Sequence, residues 1–143
     1  MSNLSLFLKK NKIQKQNTFF AATKSLCDEK GEPLLWEIRA ISTAENDQLR
    51  EECTIEVPIK GKPNMYRPKV NTSKYIGKML AASVVFPDLM NAELQDSYGV
   101  NTPEDLLKQM IDNPAEYNDF ANFIQNFSGF DTSMDDKVAE AKN

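Results

Sequence analysis

Residues 71–99, NTSKYIGKMLAASVVFPDLMNAELQDSYG, contain the most apolar continuous segment of a 143-residue chain. Tyr75, Ile76, Met79, Leu80, Ser83 and Val84 recur at the i, i+1, i+4, i+5 spacing that places side chains on one helical face. Asn71 can cap such a helix and Pro87 can stop it, which predicts a core helix of about fifteen residues, roughly 22 Å long. The remainder, DLMNAELQDSYG, reads as a shorter helix capped by Asn91 and ended by Gly99 in the left-handed conformation. The other segments are expected to pack around this centre.

The flanks carry their own signals. Thr18 to Cys27 and Leu34 to Ile41 are rich in β-formers and are separated by a polar turn cluster, DEKGEP, predicting an N-terminal β-hairpin with Trp36 as its core anchor. Ser42 and Glu45 have the spacing of a capping box, followed by an apolar stripe of Ala44, Leu49 and Cys53. Pro58, Pro63 and Pro68 exclude a helix over residues 54–70 and leave a short edge strand at Ile55, Val57 and Ile59. Thr102-Pro103 and Asn113-Pro114 each place a cap before a first-turn proline, starting two helices that present Leu106, Leu107, Met110 and Ile111, then Tyr117, Phe120, Ala121, Ile124 and Phe127. The predicted architecture is α+β and predominantly helical: an N-terminal β-hairpin packed on a bundle of about five helices. Its expected division is a flexible basic segment over 1–16, a globular domain over 17–130 and a mobile acidic tail over 131–143.

Composition narrows the chemistry. There is no histidine, which removes Ser-His and Cys-His nucleophiles, and two cysteines, Cys27 and Cys53, make neither a zinc site nor a redox pair. Both thiols are expected reduced, in or near the core. Five scattered glycines form no phosphate loop, so neither catalysis nor a cofactor or metal is expected. No apolar run approaches the ~20 residues of a membrane span, and the N-terminus lacks the order of a secretory signal, pointing to a cytoplasmic protein.

Charge is segregated. Residues 1–80 carry 14 basic and 9 acidic groups, whereas residues 81–143 carry 3 basic and 12 acidic groups. Such halves can neutralise one another within a molecule or draw copies together head to tail. Residues 57–80 hold six basic groups and no acid, with Tyr66 and Tyr75 among them. Basic and aromatic side chains interleaved over 60–78 suit single-stranded nucleic acid, the alternative functional reading, although a whole-chain pI near 4.9 opposes it. Two apolar sets remain as candidate protein-binding residues: Leu4, Phe7 and Leu8 in the acid-free N-terminal segment, and Tyr117, Phe120 and Ile124 on the last helix.

Taken together, EKGEPLLWEIRAIS (29–42), KYIGKMLAASVVFPDLMNAELQDSYGV (74–100) and PEDLLKQMIDNPAEYNDF (103–120) resemble the XkdN-like tail assembly chaperones of phages and phage-derived elements in Gram-positive bacteria. The similarity spans roughly residues 3–130, and FPDLMNAELQDSYGV is its most specific part. The resemblance implies a non-enzymatic chaperone that binds the long tape-measure protein, keeps it soluble and assists assembly of the tail tube. It further implies action in the host cytoplasm and absence from the finished virion. Homo-oligomers, contact with the tail-tube protein and a longer frameshifted product are expectations of the same kind. The ending Ala141-Lys142-Asn143 is compatible with the codons GCA AAA AAC, which contain the slippery heptamer A AAA AAC. The nucleotide sequence at these codons tests the frameshift.

Overall fold

The structure, a computed structural model, describes residues 3–130; the predicted acidic tail lies outside them. Five α-helices and five short strands follow one another: β1 (Thr18–Phe20), β2 (Trp36–Ile38), α1 (Thr43–Glu52), β3 (Thr54–Pro58), β4 (Tyr66–Val70), α2 (Thr72–Ser83), β5 (Val84–Phe86), α3 (Ala92–Ser97), α4 (Pro103–Met110) and α5 (Pro114–Ser128). The fold is α+β. Helix α2 lies at its centre, packed against α1, α4, α5 and β5. Met79 and Leu80 of α2 meet Leu106 and Leu107 of α4, Phe120 and Ile124 of α5, and Trp36 and Ile38 of β2 in one buried core.

The helix starts follow from side chains that accept from orphan backbone donors. Asn71, Asn91, Thr102 and Asn113 each accept from an N–H in the first turn, satisfying groups that have no intrahelical partner. Gly129, at φ +86°, closes α5 in the left-handed conformation that a β-carbon would disfavour. At α1 the capping box is complete: Ser42 Oγ accepts from the Glu45 N–H, and the Ser42 N–H donates to the Glu45 carboxylate.

That carboxylate also holds the Arg39 guanidinium through two bonds of 2.9 and 2.5 Å. The Arg39 bond, more than the cap, lowers the Glu45 pKa to about 2. A depressed carboxylate contributes stability above its unfolded value near 4.5, and that contribution is lost as pH falls toward 2. Because the side chains of both partners are about a third exposed, solvent screening reduces the effect. Glu45→Gln is expected to cost about 1 kcal/mol at pH 7, with the difference from wild type shrinking below pH 4 in chemical denaturation.

One expectation is corrected and two are extended. The core helix ends at Ser83, four residues short of Pro87, and Val84–Phe86 is strand β5 instead of its last turn. Two valines and a phenylalanine favour the extended backbone, residues before proline avoid the helical region, and the segment finds a partner: β5 pairs antiparallel with β2. The predicted N-terminal hairpin is therefore part of a three-stranded sheet ordered β1-β2-β5, in which Thr18, Phe19 and Phe20 face Ile38, Glu37 and Trp36. Its long connection folds back through an isolated Cys27–Pro33 bridge. The expected short strand around Ile55, Val57 and Ile59 is β3, and it has an antiparallel partner in β4, each five residues long. Alternation marks β3 in the sequence, but the prolines and charges of YRPKV obscure its partner.

Gly77 sits buried in the middle of α2, where a glycine weakens the helix. A β-carbon there would lie 3.8 Å from the Tyr117 hydroxyl and 3.9 Å from Glu104 Cβ, ordinary packing distances. Gly77→Ala is expected to stabilise the fold by about 0.5–1 kcal/mol, read as a rise in the denaturant midpoint without a change in slope.

Candidate protein-binding surface

The N-terminal segment forms two short 3₁₀ turns, Asn3–Phe7 and Lys9–Asn11, neither of which contains a buried residue. Leu4 is 68% exposed, Phe7 84% and Leu8 47%, and Leu6 and Ile13 are exposed beside them. Lys9, Lys10 and Lys12 lie among these side chains with no acid in the segment. Farther along, the chain is fastened to the body. Lys15 Nζ stands 4.5 Å from the centre of the Phe127 ring, and Asn17 Nδ2 donates to Glu37 Oε2 at 2.9 Å. An apolar, basic segment is thus displayed from a fixed root, an arrangement suited to covering apolar surface on another protein.

The second candidate set divides differently. Phe120 and Ile124 are fully buried. Phe120 stacks on Phe20 at 5.8 Å and meets Trp36 edge-on at 6.1 Å, so both residues are core, not contact surface. Tyr117 is half-buried against α2, and burial raises its phenol pKa. A wide apolar stripe on a helix has the same spacing whether it faces the core or a partner, and here the sheet occupies it. Phe123, also on that helix, stacks on Phe20 at 4.2 Å.

The basic region over 60–78 is divided among the β3–β4 turn, β4 and α2. Tyr75 is half-buried with its hydroxyl held by Asn46, whereas Tyr66 is exposed. Lys78 lies 3.9 Å from Glu52 and 3.8 Å from Glu104. These placements take Tyr75 and Lys78 out of the aromatic-basic set that the linear order suggests.

Residues outside both candidate sets complete the surface. The outer face of the three-stranded sheet shows Phe19 and Phe86 on either side of Glu37, and Leu35 and Met90 are exposed nearby. Strand alternation is a signal that could identify Phe19; the helical apolar period running through Val84 hides Phe86. Trp36 is buried, as expected. Cys53 is buried too, but Cys27 is exposed, with its thiol 3.0 Å from the Lys24 carbonyl, correcting the expected near-core position. The turn that contains it is too polar to enter the interior. The loop after β1 is tied to α5 by Glu116, which accepts from the Thr23 hydroxyl and the Lys24 N–H, both at 2.8 Å. The Lys24 N–H, with the Thr23 hydroxyl, lowers the Glu116 pKa.

Among the described residues no group of three or more histidine, cysteine or acidic side chains is placed to hold a metal ion, and no helix is long and apolar enough to cross a membrane.

Comparison with known proteins agrees with this architecture. A solved structure of the protein YqbN superposes with a TM-score of 0.75 at 21% identity, covering 92% of this chain and 99% of that one. In sequence, the phage-like element PBSX protein XkdN of Bacillus subtilis is 23% identical over 141 residues, 99% of this chain and 94% of that protein. The uncharacterized protein YqbN of the same organism is also 23% identical, over 99% of this chain and 93% of its own length. The family described as phage XkdN-like tail assembly chaperone protein matches residues 4–142, nearly the whole chain, and the protein belongs to that family.

Proposed function

We propose that this protein binds the tape-measure protein of its phage or prophage element, keeps it soluble and assists its incorporation during tail-tube assembly. The observation that carries the reading is the exposed apolar segment over residues 4–13, projecting from a body whose own core is complete without it. A tape measure is a long helical chain whose apolar stripe is uncovered until the tube encloses it. Short apolar segments, supplied many times along such a client, suppress aggregation through repeated weak contacts. The lysines interleaved with Leu8 and Ile13 favour an acidic flank beside that stripe. Residues 1–16 then act as the client-binding arm and 17–130 as the body that presents it.

The chaperone works in the host cytoplasm, without catalysis, and leaves before the virion is finished. The tail-tube protein and a longer frameshifted form are further partners in the same assembly. Co-expression with the tape-measure protein tests the reading: the client should move from the insoluble to the soluble fraction and co-purify with the chaperone. A client that stays insoluble, with no complex recovered, rejects it.

A further inference from the structure

We infer that the outer face of the three-stranded sheet, continued by the β5–α3 turn, is a docking surface for a basic amphipathic helix of a partner protein. The two faces follow from strand alternation. Trp36 and Ile38 are buried in the core, so Glu37 between them turns outward, and its partners across the strands are Phe19 on β1 and Phe86 on β5. Phe19 is 59% exposed and Phe86 65%. An antiparallel sheet with one face in water ordinarily carries polar side chains there, and a face that stays apolar is completed by a further layer.

The dimensions suit a helix. Strands in a sheet lie about 4.8 Å apart, so Phe19 and Phe86, on the two outer strands, stand about 10 Å from one another, close to the diameter of a helix. The Glu37 carboxylate lies between these two apolar side chains. The apolar surface continues at Leu35, two residues before Glu37, and at Met90, both exposed. At the turn Leu89 is buried, and the Asp88 carboxylate accepts from the Met90 N–H at 3.0 Å, which holds the backbone there. A concavity of about 370 Å³ opens beside it, with Phe86, Pro87, Leu94, Asp88 and Glu93 in its lining.

Addition of a strand to β5 fits less well. The strand is three residues long, its first N–H, at Val84, donates to the Ala81 carbonyl, and it runs into Pro87, which has no N–H. An extended segment gains few hydrogen bonds along such an edge, so the partner meets the face.

Charge selects the sign of that partner. Residues 79–107 contain five acids, Asp88, Glu93, Asp96, Glu104 and Asp105, and no lysine or arginine. Glu37 Oε2 accepts from Asn17 Nδ2 at 2.9 Å, and none of Glu37, Asp88 and Glu93 takes part in an ion pair among the described residues. Lysine or arginine beside the apolar stripe of a helix would meet these carboxylates, whereas an acidic helix would be repelled. The N-terminal arm has the opposite sign, because its lysines favour an acidic flank. One chain can thus hold two segments of opposite charge, and the sheet surface does not depend on what the arm holds.

Fluorescence anisotropy with the full chain tests the surface, using a labelled peptide of about 18 residues, leucine and lysine, with the leucines on one helical face. A scrambled peptide of the same composition and a leucine-glutamate peptide of the same pattern are the controls. At about 150 mM salt the chain is expected to bind the first peptide at least about tenfold more tightly than either control. Phe19→Thr/Phe86→Thr, which keeps strand-forming residues in β1 and β5, should weaken that binding about tenfold or more, and Glu37→Gln/Glu93→Gln about threefold or more. Leu4→Ser/Phe7→Ser/Leu8→Ser should bind the peptide within about twofold of wild type, which separates this surface from the client-binding role of the arm. Unchanged melting curves establish that the variants fold, and the glutamine pair, which leaves both phenylalanines in place, decides the matter if the threonine pair melts early. Equal binding of the three peptides, a folded threonine or glutamine pair that binds like wild type, or loss of the peptide in the arm variant would overturn the inference. So would a wild-type dimer that the threonine pair converts to monomer, since a second copy would then cover the face.

Discussion

Phe120→Ala is expected to destabilise the fold severely, costing about 3–5 kcal/mol. The ring has no exposed surface, and Phe20 and Trp36 pack against it from the sheet while its own helix lies on α2. The cavity would open where sheet and helices meet, among fully buried side chains that include Trp36 and Ile124. A domain of this size has about 5–15 kcal/mol in all, so the variant should retain only part of its stability and melt roughly 10–20 °C lower. Equilibrium unfolding in urea checks this, with the midpoint falling and the slope unchanged. Phe120→Leu keeps much of the volume and should lose less than half as much. If Phe120→Ala costs under about 1 kcal/mol, the ring is not a core element. The leucine variant should still solubilise the client, since a fully buried ring makes no contact with it.

Leu4→Ser/Phe7→Ser/Leu8→Ser should show the opposite behaviour. These side chains contribute little to the folded body, and the variant should match wild-type stability to within about 0.5 kcal/mol. Client binding should fall steeply. An apolar side chain covered by a partner contributes about 1.5–3 kcal/mol, so losing even two such contacts weakens a complex by about a hundredfold or more. Titration of tape-measure fragments against both chaperones checks this, as does the soluble fraction of the co-expressed client. Equal affinity for the two would remove the segment from the site and shift attention to the outer sheet face at Phe19 and Phe86.

The two sets of candidate contacts look alike as sequence, and the reason they part is physical. Leu4, Phe7 and Leu8 lie on short turns rooted to the body at Lys15 and Asn17, and their side chains remain exposed. Tyr117, Phe120 and Ile124 follow a helical period that is equally consistent with a groove or a core. Only the position of β1 and β2, distant in sequence, assigns Phe120 and Ile124 to the interior.

Local chemistry was sufficient where the interaction was local. The caps at Ser42, Asn71, Asn91, Thr102 and Asn113 and the stop at Gly129 involve atoms a few residues apart, and side-chain type with backbone freedom largely determines them. The buried Trp36 and the apolar face of α4 were legible for the same reason. The end of α2 was not. Val84 continues the helical apolar period, but its free energy as a strand depends on β2, some forty-five residues earlier, and no local pattern carries that pairing.

The residues within 71–99 illustrate both cases. By itself the sequence determined a capped helix at Asn71, an apolar face on Met79 and Leu80, and a second capped helix at Asn91, together with the likeness that identifies the family. Tertiary structure alone decided that the run breaks after Ser83 into a strand, that Leu89 turns inward, and that Phe86 and Met90 are left on the surface. The physical reason is that caps and periodicity act within a few residues, whereas strand pairing and burial depend on what distant parts of the chain bring alongside.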